Sequence, residues 1–171
     1  MATKRKNNKK LAALLMVTGL GTGLSPVMPG TFGTIPGVLI YLFIENFVPA
    51  HMAPAVIAIA FFIISMASLL LTAWATCYFN SKDPKNFVLD EIAGYLLVPL
   101  LFHHSGDWQT IAAGFLLFRF YDIVKPPPAR QLDRDLGGKW GILLDDLVCG
   151  IFAAMTLHFF CRIGLLPGFT T

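Results

Sequence analysis

The sequence predicts an all-α fold, a polytopic integral membrane helix bundle of about four to five spans plus a re-entrant N-terminal half-helix. Three observations lead there. The 171 residues are 56% hydrophobic and only 13% charged, far more apolar than an ordinary soluble domain. Eight of the ten carboxylates fall in two short stretches, DPKNFVLDE and FRFYDIVKPPPARQLDRDLGGKWGILLDD. Around these stretches lie apolar runs, several of them long enough to cross a bilayer as helices.

The elements follow in order. Lys4, Arg5, Lys6, Lys9 and Lys10 make residues 1–10 a basic head, expected as a cytosolic tail. Placed directly before an apolar segment, such a head fixes membrane orientation and touches anionic lipid. No aromatic-interleaved basic face follows, so nucleic acid is not an expected partner. The head and LAALLMVTGLGTGL together have the outline of a secretory signal. No small-x-small cleavage site closes it and a Pro/Gly-rich turn follows, so retention is expected. Residues 11–171 then read as a single membrane-embedded catalytic domain, with no Ser/Gly linker or internal repeat to divide them.

Leu11 to about Leu24 is too short and too Gly-rich to span comfortably, and is expected to dip in and return. Phe32 to Val48 has the length to cross, and Ala53 to Phe79 crosses with tilt. Glu91 to His103 is short. Trp108 to Lys125 is nearly long enough and is stopped by Pro126, Pro127 and Pro128. Gly141 to Gly164 is the last span. With the N-terminus in the cytosol, the turns ENFVPAHMAP and FHHSGDWQ fall outside, and neither contains Lys or Arg. The loops near 80–90 and 125–141 fall inside with most of the remaining basic residues, Arg162 being the exception. Both acidic clusters then face the cytosol.

Cys77, Cys149 and Cys161 are odd in number, far apart and set in apolar runs. They are expected as buried small side chains rather than a disulfide framework, metal site or nucleophile. His51, His103 and His104 fall in the outer turns and His158 in the last span, all expected as packed or solvated rather than ligating.

The chemistry is expected where the carboxylates gather. Asp90 and Glu91 open one helix, Asp145 and Asp146 fall in the first turn or so of another, and Asp122 sits near the end of a third. Three helices thus deliver acids to one depth, where isolated charge is costly. Acids at helix N-termini also complement the dipole, an account that suits one pair better than three elements. An oxygen-only set of Asp83, Asp90, Glu91, Asp122, Asp145 and Asp146 suits Mg²⁺ or Mn²⁺, whose shells are completed by water and substrate phosphate. Arg119, Asp122 and Lys125 recur at intervals of three and share a helix face. They form either a snorkelling ladder or a clamp on phosphate oxygens with Asp122 in the metal shell.

Residues 19–34, GLGTGLSPVMPGTFGT, supply glycines and the hydroxyls of Thr22, Ser25, Thr31 and Thr34. Such a segment either cradles phosphate with backbone N–H groups or packs helices tightly. No P-loop or dinucleotide fingerprint is present. A Cys-x5-Arg loop, an Asp-x-Asp phospho-aspartate signature at a strand end and the spaced acidic pattern of CDP-alcohol phosphotransferases are likewise missing. Metal-assisted attack of water on a phosphomonoester needs the fewest assumptions, with a covalent aspartyl-phosphate as the other route. The catalytic candidates are Asp90, Glu91, Arg119, Asp122, Lys125, Asp145 and Asp146. A divalent-cation transporter is the alternative from another class, but it should spread ionisable groups through the membrane. A non-catalytic scaffold leaves acids at three helix ends unexplained.

GTGLSPVMPGTFGT, DPKNFVLDEIAG and FRFYDIVKPPPARQLDRDLGGKWGILLDDLVCG resemble, in order, the three blocks of the bacterial phosphatidylglycerophosphatase A family. The resemblance implies Mg²⁺-dependent hydrolysis of phosphatidylglycerophosphate to phosphatidylglycerol and inorganic phosphate. It also implies a multi-pass protein of the bacterial inner membrane, its site facing the cytosol, with no required protein partner. By matching motif positions it singles out Asp83, Asp90, Glu91, Gly94, Arg119, Asp122, Lys125, Pro126, Asp145 and Asp146. Two departures stand out. The family's Gly-Gly-x-Gly before the acidic pair reads Gly138-Lys139-Trp140-Gly141, which raises a new phosphate contact through Lys139, and its Ala-Gly after the pair reads Cys149-Gly150.

Overall fold

The structure is a computed structural model that describes residues 2–102 and 108–166. Among the described residues the chain is helical throughout, without strands. The helices are α1 (Ala2–Val17), α2 (Pro29–Phe47), α3 (Ala53–Phe79), α4 (Leu89–Leu101), α5 (Trp108–Val124), α6 (Ala129–Leu136) and α7 (Gly138–Arg162), with a 3₁₀ turn at Thr22–Leu24.

The shortest apolar run becomes the centre of the bundle. Leu89, Ile92, Ala93, Tyr95, Leu96 and Val98 of α4 are all buried, so the helix is apolar all round because protein surrounds it. It packs against α2, α3, α5 and α7. Two glycines set its contact with α7. A Cβ on Gly150 would lie 2.4 Å from the Gly94 carbonyl oxygen, and one on Gly94 would lie 2.9 Å from the Asp146 carbonyl oxygen. Only glycine allows these backbones so close. Asp90 and Asp146 each sit four residues, about one turn, before that contact, so one close crossing carries both acids to the same end of the bundle.

α3, with 27 residues, and α7, with 25, are long and apolar enough to cross a bilayer. α3 turns Ile59, Phe62, Ile63 and Leu70 outward, the last 71% exposed. An apolar face of this extent marks a surface made for lipid or another protein, and with these two helices the chain reads as a membrane protein. Of the four to five spans expected, two are helices of that length and apolarity. α4, about 20 Å long, is enclosed within the bundle.

Other boundaries also differ. α1 runs unbroken from Ala2 through residue 10, where the basic tail was expected to end. After Val17 the chain turns sharply: Thr18 Oγ1 donates to the Leu14 carbonyl (2.7 Å) and accepts from the Gly21 N–H (3.1 Å). Gly19, Leu20 and Gly21 all have positive φ. The loop before α4 is pinned onto this turn, as Asn86 Nδ2 donates to the Gly23 carbonyl (2.7 Å) and the Val88 N–H to the Val17 carbonyl (3.0 Å). After the triple proline the expected inner loop forms the short helix α6. The outer turn containing His103 and His104 lies outside the described residues. Cys149 and Cys161 are buried as expected, but Cys77 is exposed, because an apolar run does not reveal which of its faces meets protein. His51 is exposed, and His158 packs edge-on against Phe102, ring centroids 4.5 Å apart.

Candidate active site

A cavity of about 560 Å³ opens where α2, α4 and α7 begin and α5 ends, with the loop before α4 on its wall. Asp83, Asp90, Glu91, Arg119, Asp122, Lys125, Asp145 and Asp146 all line it. Residues chosen from two separate stretches of sequence therefore meet in one place.

Each side chain is set by its helix. Asp90 and Glu91 occupy the first turn of α4. Asp145 and Asp146 were expected in the first turn or so of their helix, yet α7 starts three residues earlier, at Gly138, which leaves them about two turns inside. There the charge of the helix N-terminus no longer reaches, so dipole complementation accounts for Asp90 and Glu91 and not for this pair. Asp145 is 1% exposed, Asp146 3% and Asp90 7%. Burial this deep is expensive for a carboxylate without a compensating charge or hydrogen bond.

Basic partners answer only some of these acids. Arg119 Nη1 lies 2.6 Å from Asp122 Oδ2 and 3.2 Å from Glu91 Oε1, and it donates to Thr34 Oγ1 at 3.4 Å. Its Nε has no hydrogen-bond partner. Lys125 Nζ pairs with Asp145 Oδ2. Lys125 sits just past the end of α5 with φ 45°, a left-handed conformation that costs a non-glycine residue about 1 kcal/mol. Pro126 forbids further helix, and the left-handed step brings the Lys125 ammonium to Asp145.

Six carboxylates and three basic side chains, Lys85 among them, line the cavity. Such an excess of buried acid requires protons or a cation. Asp90 Oδ1 and Glu91 Oε2 are buried without hydrogen-bond partners, the kind of acceptor a metal ion satisfies. No three candidate ligands among the described residues form a ready-made metal cage. The donors themselves are all oxygen, the type that hard divalent ions prefer.

The N-terminus of α2 closes another side of the cavity. A Cβ on Gly30 would fall 2.1 Å from Glu91 Oε1 and 2.7 Å from Arg119 Nη2, so glycine lets α2 lie directly against that ion pair. Thr31, one of the hydroxyls noted in the sequence, lines the cavity with a buried Oγ1 that has no partner. Lys85, inside the first acidic stretch, was not singled out. Its signal was its place between Asp83 and Asp90, which a search for carboxylates passes over. Lys139 is exposed and is not among the residues that line the cavity.

The family model described as phosphatidylglycerophosphatase A matches residues 15–161, a span that contains every cavity residue. The chain belongs to the phosphatidylglycerophosphatase A family. Membership makes it an enzyme of the phosphatase class, in a family of phospholipid metabolism. It is 33% identical over 145 residues to phosphatidylglycerophosphatase A of Escherichia coli K12, covering 85% of this chain and 81% of that one. With phosphatidylglycerophosphatase A of Haemophilus influenzae Rd it shares 31% identity over 159 residues, 91% and 94% of the two chains. A Bacteroides thetaiotaomicron protein, provisionally named a phosphatidylinositol-3-phosphatase, is 34% identical over 148 residues, 82% and 87%. No solved structure matches the chain.

Proposed function

We propose that this protein is a Mg²⁺-dependent lipid phosphatase that hydrolyses phosphatidylglycerophosphate to phosphatidylglycerol and inorganic phosphate on the cytosolic face of a bacterial inner membrane. The observation that carries the reading is the convergence of six carboxylates with Arg119 and Lys125 in one cavity at one end of an apolar bundle. The names of the relatives support the substrate class. Phosphatidylglycerophosphate and phosphatidylinositol 3-phosphate both join a phosphodiester to the lipid and carry a separate phosphomonoester on the head group.

Asp90 and Asp146, with Glu91, Asp122 and Asp145 around them, would hold Mg²⁺; Asp83, exposed at the wall, would complete the acidic set. When bound, Mg²⁺ supplies Lewis-acid polarisation of the phosphoryl oxygens and lowers the pKa of attached water. Arg119 and Lys125 neutralise charge that builds on the phosphate in the transition state. No basic side chain stands within ion-pair distance of Asp90 or Asp146 among the described residues, so these two carboxylates can orient an attacking water and take its proton. Water attacks phosphorus, the P–O bond to the glycerol breaks, and the departing oxygen recovers a proton. A multi-pass arrangement with the N-terminus inside follows from the Lys/Arg asymmetry of the turns.

Incubating the purified protein with phosphatidylglycerophosphate, with Mg²⁺ or with EDTA, and measuring phosphate release tests the reading. Metal-dependent release is expected. Absence of release under all metal conditions would refute the activity, and undiminished release in EDTA would refute the metal.

A further inference from the structure

The substrate class proposed above carries two anions, and the cavity has cations at two depths. Arg119 and Lys125 stand among the buried carboxylates and are tied to them. Lys85 lines the same cavity but is exposed, and no carboxylate lies within ion-pair distance of it among the described residues.

Its position is built rather than incidental. The Phe87 N–H donates to the Pro84 carbonyl at 2.8 Å, which makes Lys85 and Asn86 the two central residues of a tight turn. Pro84 and Phe87 at its ends are buried. Asn86 anchors the turn to the Gly23 carbonyl at 2.7 Å, and Val88 anchors it to the Val17 carbonyl at 3.0 Å. Gly23 lies so close beneath that a Cβ there would meet the Asn86 carbonyl oxygen at 2.7 Å. A turn held at both ends presents one ammonium group to the cavity.

The head group has a matching order. From the acyl chains outward it reads phosphodiester, glycerol, phosphomonoester. If the monoester reaches the buried carboxylates, the diester stays nearer the open side, where Lys85 stands. The cavity, at about 560 Å³, has room for a whole head group.

We infer that Lys85 is a specificity-determining residue that binds the phosphodiester of the substrate and so selects lipids with both a diester and a terminal monoester over lipids with a monoester alone. This inference rests on the lipid-phosphatase reading. A contact to a non-reacting phosphate is equally strong in the ground and transition states, so it acts on KM rather than kcat.

The test compares the full-length protein and its Lys85→Ala and Lys85→Arg variants in neutral detergent micelles, where no other anionic lipid is present. Phosphate release is followed from phosphatidylglycerophosphate and from phosphatidic acid, which has no diester. Lys85→Ala should lower kcat/KM on phosphatidylglycerophosphate about tenfold, chiefly through KM. On phosphatidic acid it should change kcat/KM by less than about twofold, and Lys85→Arg should restore most of the loss. An equal loss on both lipids, a loss confined to kcat, or no loss would overturn the inference while leaving the phosphatase reading intact. A wild-type protein inactive on phosphatidylglycerophosphate would overturn both.

Discussion

Replacing Gly30 by alanine separates a site built on geometry from a mere collection of charges, because it changes no charge at all. The new Cβ would lie 2.1 Å from Glu91 Oε1 and 2.7 Å from Arg119 Nη2, where ordinary contact begins at 3.4 Å. Either the Glu91 carboxylate withdraws by roughly 1 Å or α2 shifts by as much. Withdrawal would carry the 3.2 Å Arg119–Glu91 contact beyond 4 Å and free the guanidinium to reorient. A displacement near 1 Å at a reacting centre costs about 100-fold in rate, while overpacking of this kind costs about 1–3 kcal/mol in stability. Gly114→Ala is the matched control, since its Cβ would meet only side chains, Leu157 at 3.3 Å and Val98 at 3.4 Å, and it lies away from the cavity. The assay is kcat on phosphatidylglycerophosphate, with a thermal melt of each variant. Gly30→Ala should lose about two orders of magnitude in kcat while still folding, and Gly114→Ala should stay within about twofold of wild type, helped slightly by helix propensity. Wild-type turnover in Gly30→Ala would refute the claim that the Glu91–Arg119 pair must hold its present geometry.

Other outcomes follow from the same site. Asp90→Asn and Asp146→Asn keep shape and remove buried charge, so each should lower kcat by at least about 100-fold with melting temperature unchanged or raised; retained turnover would remove that carboxylate from the chemistry. Arg119→Lys keeps the charge but cannot reach Asp122, Glu91 and Thr34 with one ammonium, and should cost about tenfold or more in kcat; a silent change would reduce Arg119 to a snorkelling residue. For orientation, single cysteines at Ser81 and His51, in a background lacking Cys77, Cys149 and Cys161, should label from the cytosolic and outer sides respectively. Labelling of both from one side would overturn the threading.

The carboxylates were legible in the sequence because membranes penalise charge. When most residues are apolar, the few acids that persist at a boundary stand out by that cost alone. Periodicity placed Arg119 and Asp122 on one face, since three-residue spacing is a property of the helix and needs no partner, whereas Lys125 lies past the helix end and reaches Asp145 by a left-handed step. Gly30 entered only as one of the glycines of residues 19–34, and Lys85 escaped. Glycine has no chemistry of its own, and its meaning lies in what a Cβ would strike. Lys85 reads as one more surface lysine until the turn that holds it is seen docked on Gly23.

From local composition and period alone, the chain determined its helical class, the bounds of the apolar helices from Phe32 onward to within a few residues, and the two stretches in which the acids gather. These depend on interactions within a few turns of helix, which the sequence states directly. The place of α4 was decided only by tertiary structure. Apolarity does not distinguish a helix facing lipid from one enclosed by protein, so a segment counted among the spans is the core of the bundle. The pairing of Arg119 with both Glu91 and Asp122, the burial of Asp145 and Asp146 two turns inside α7, and the meeting of Asp90 with Asp146 in one cavity were decided there too. All depend on the close crossing at Gly94 and Gly150, a contact between residues 56 positions apart in the sequence that no local pattern encodes.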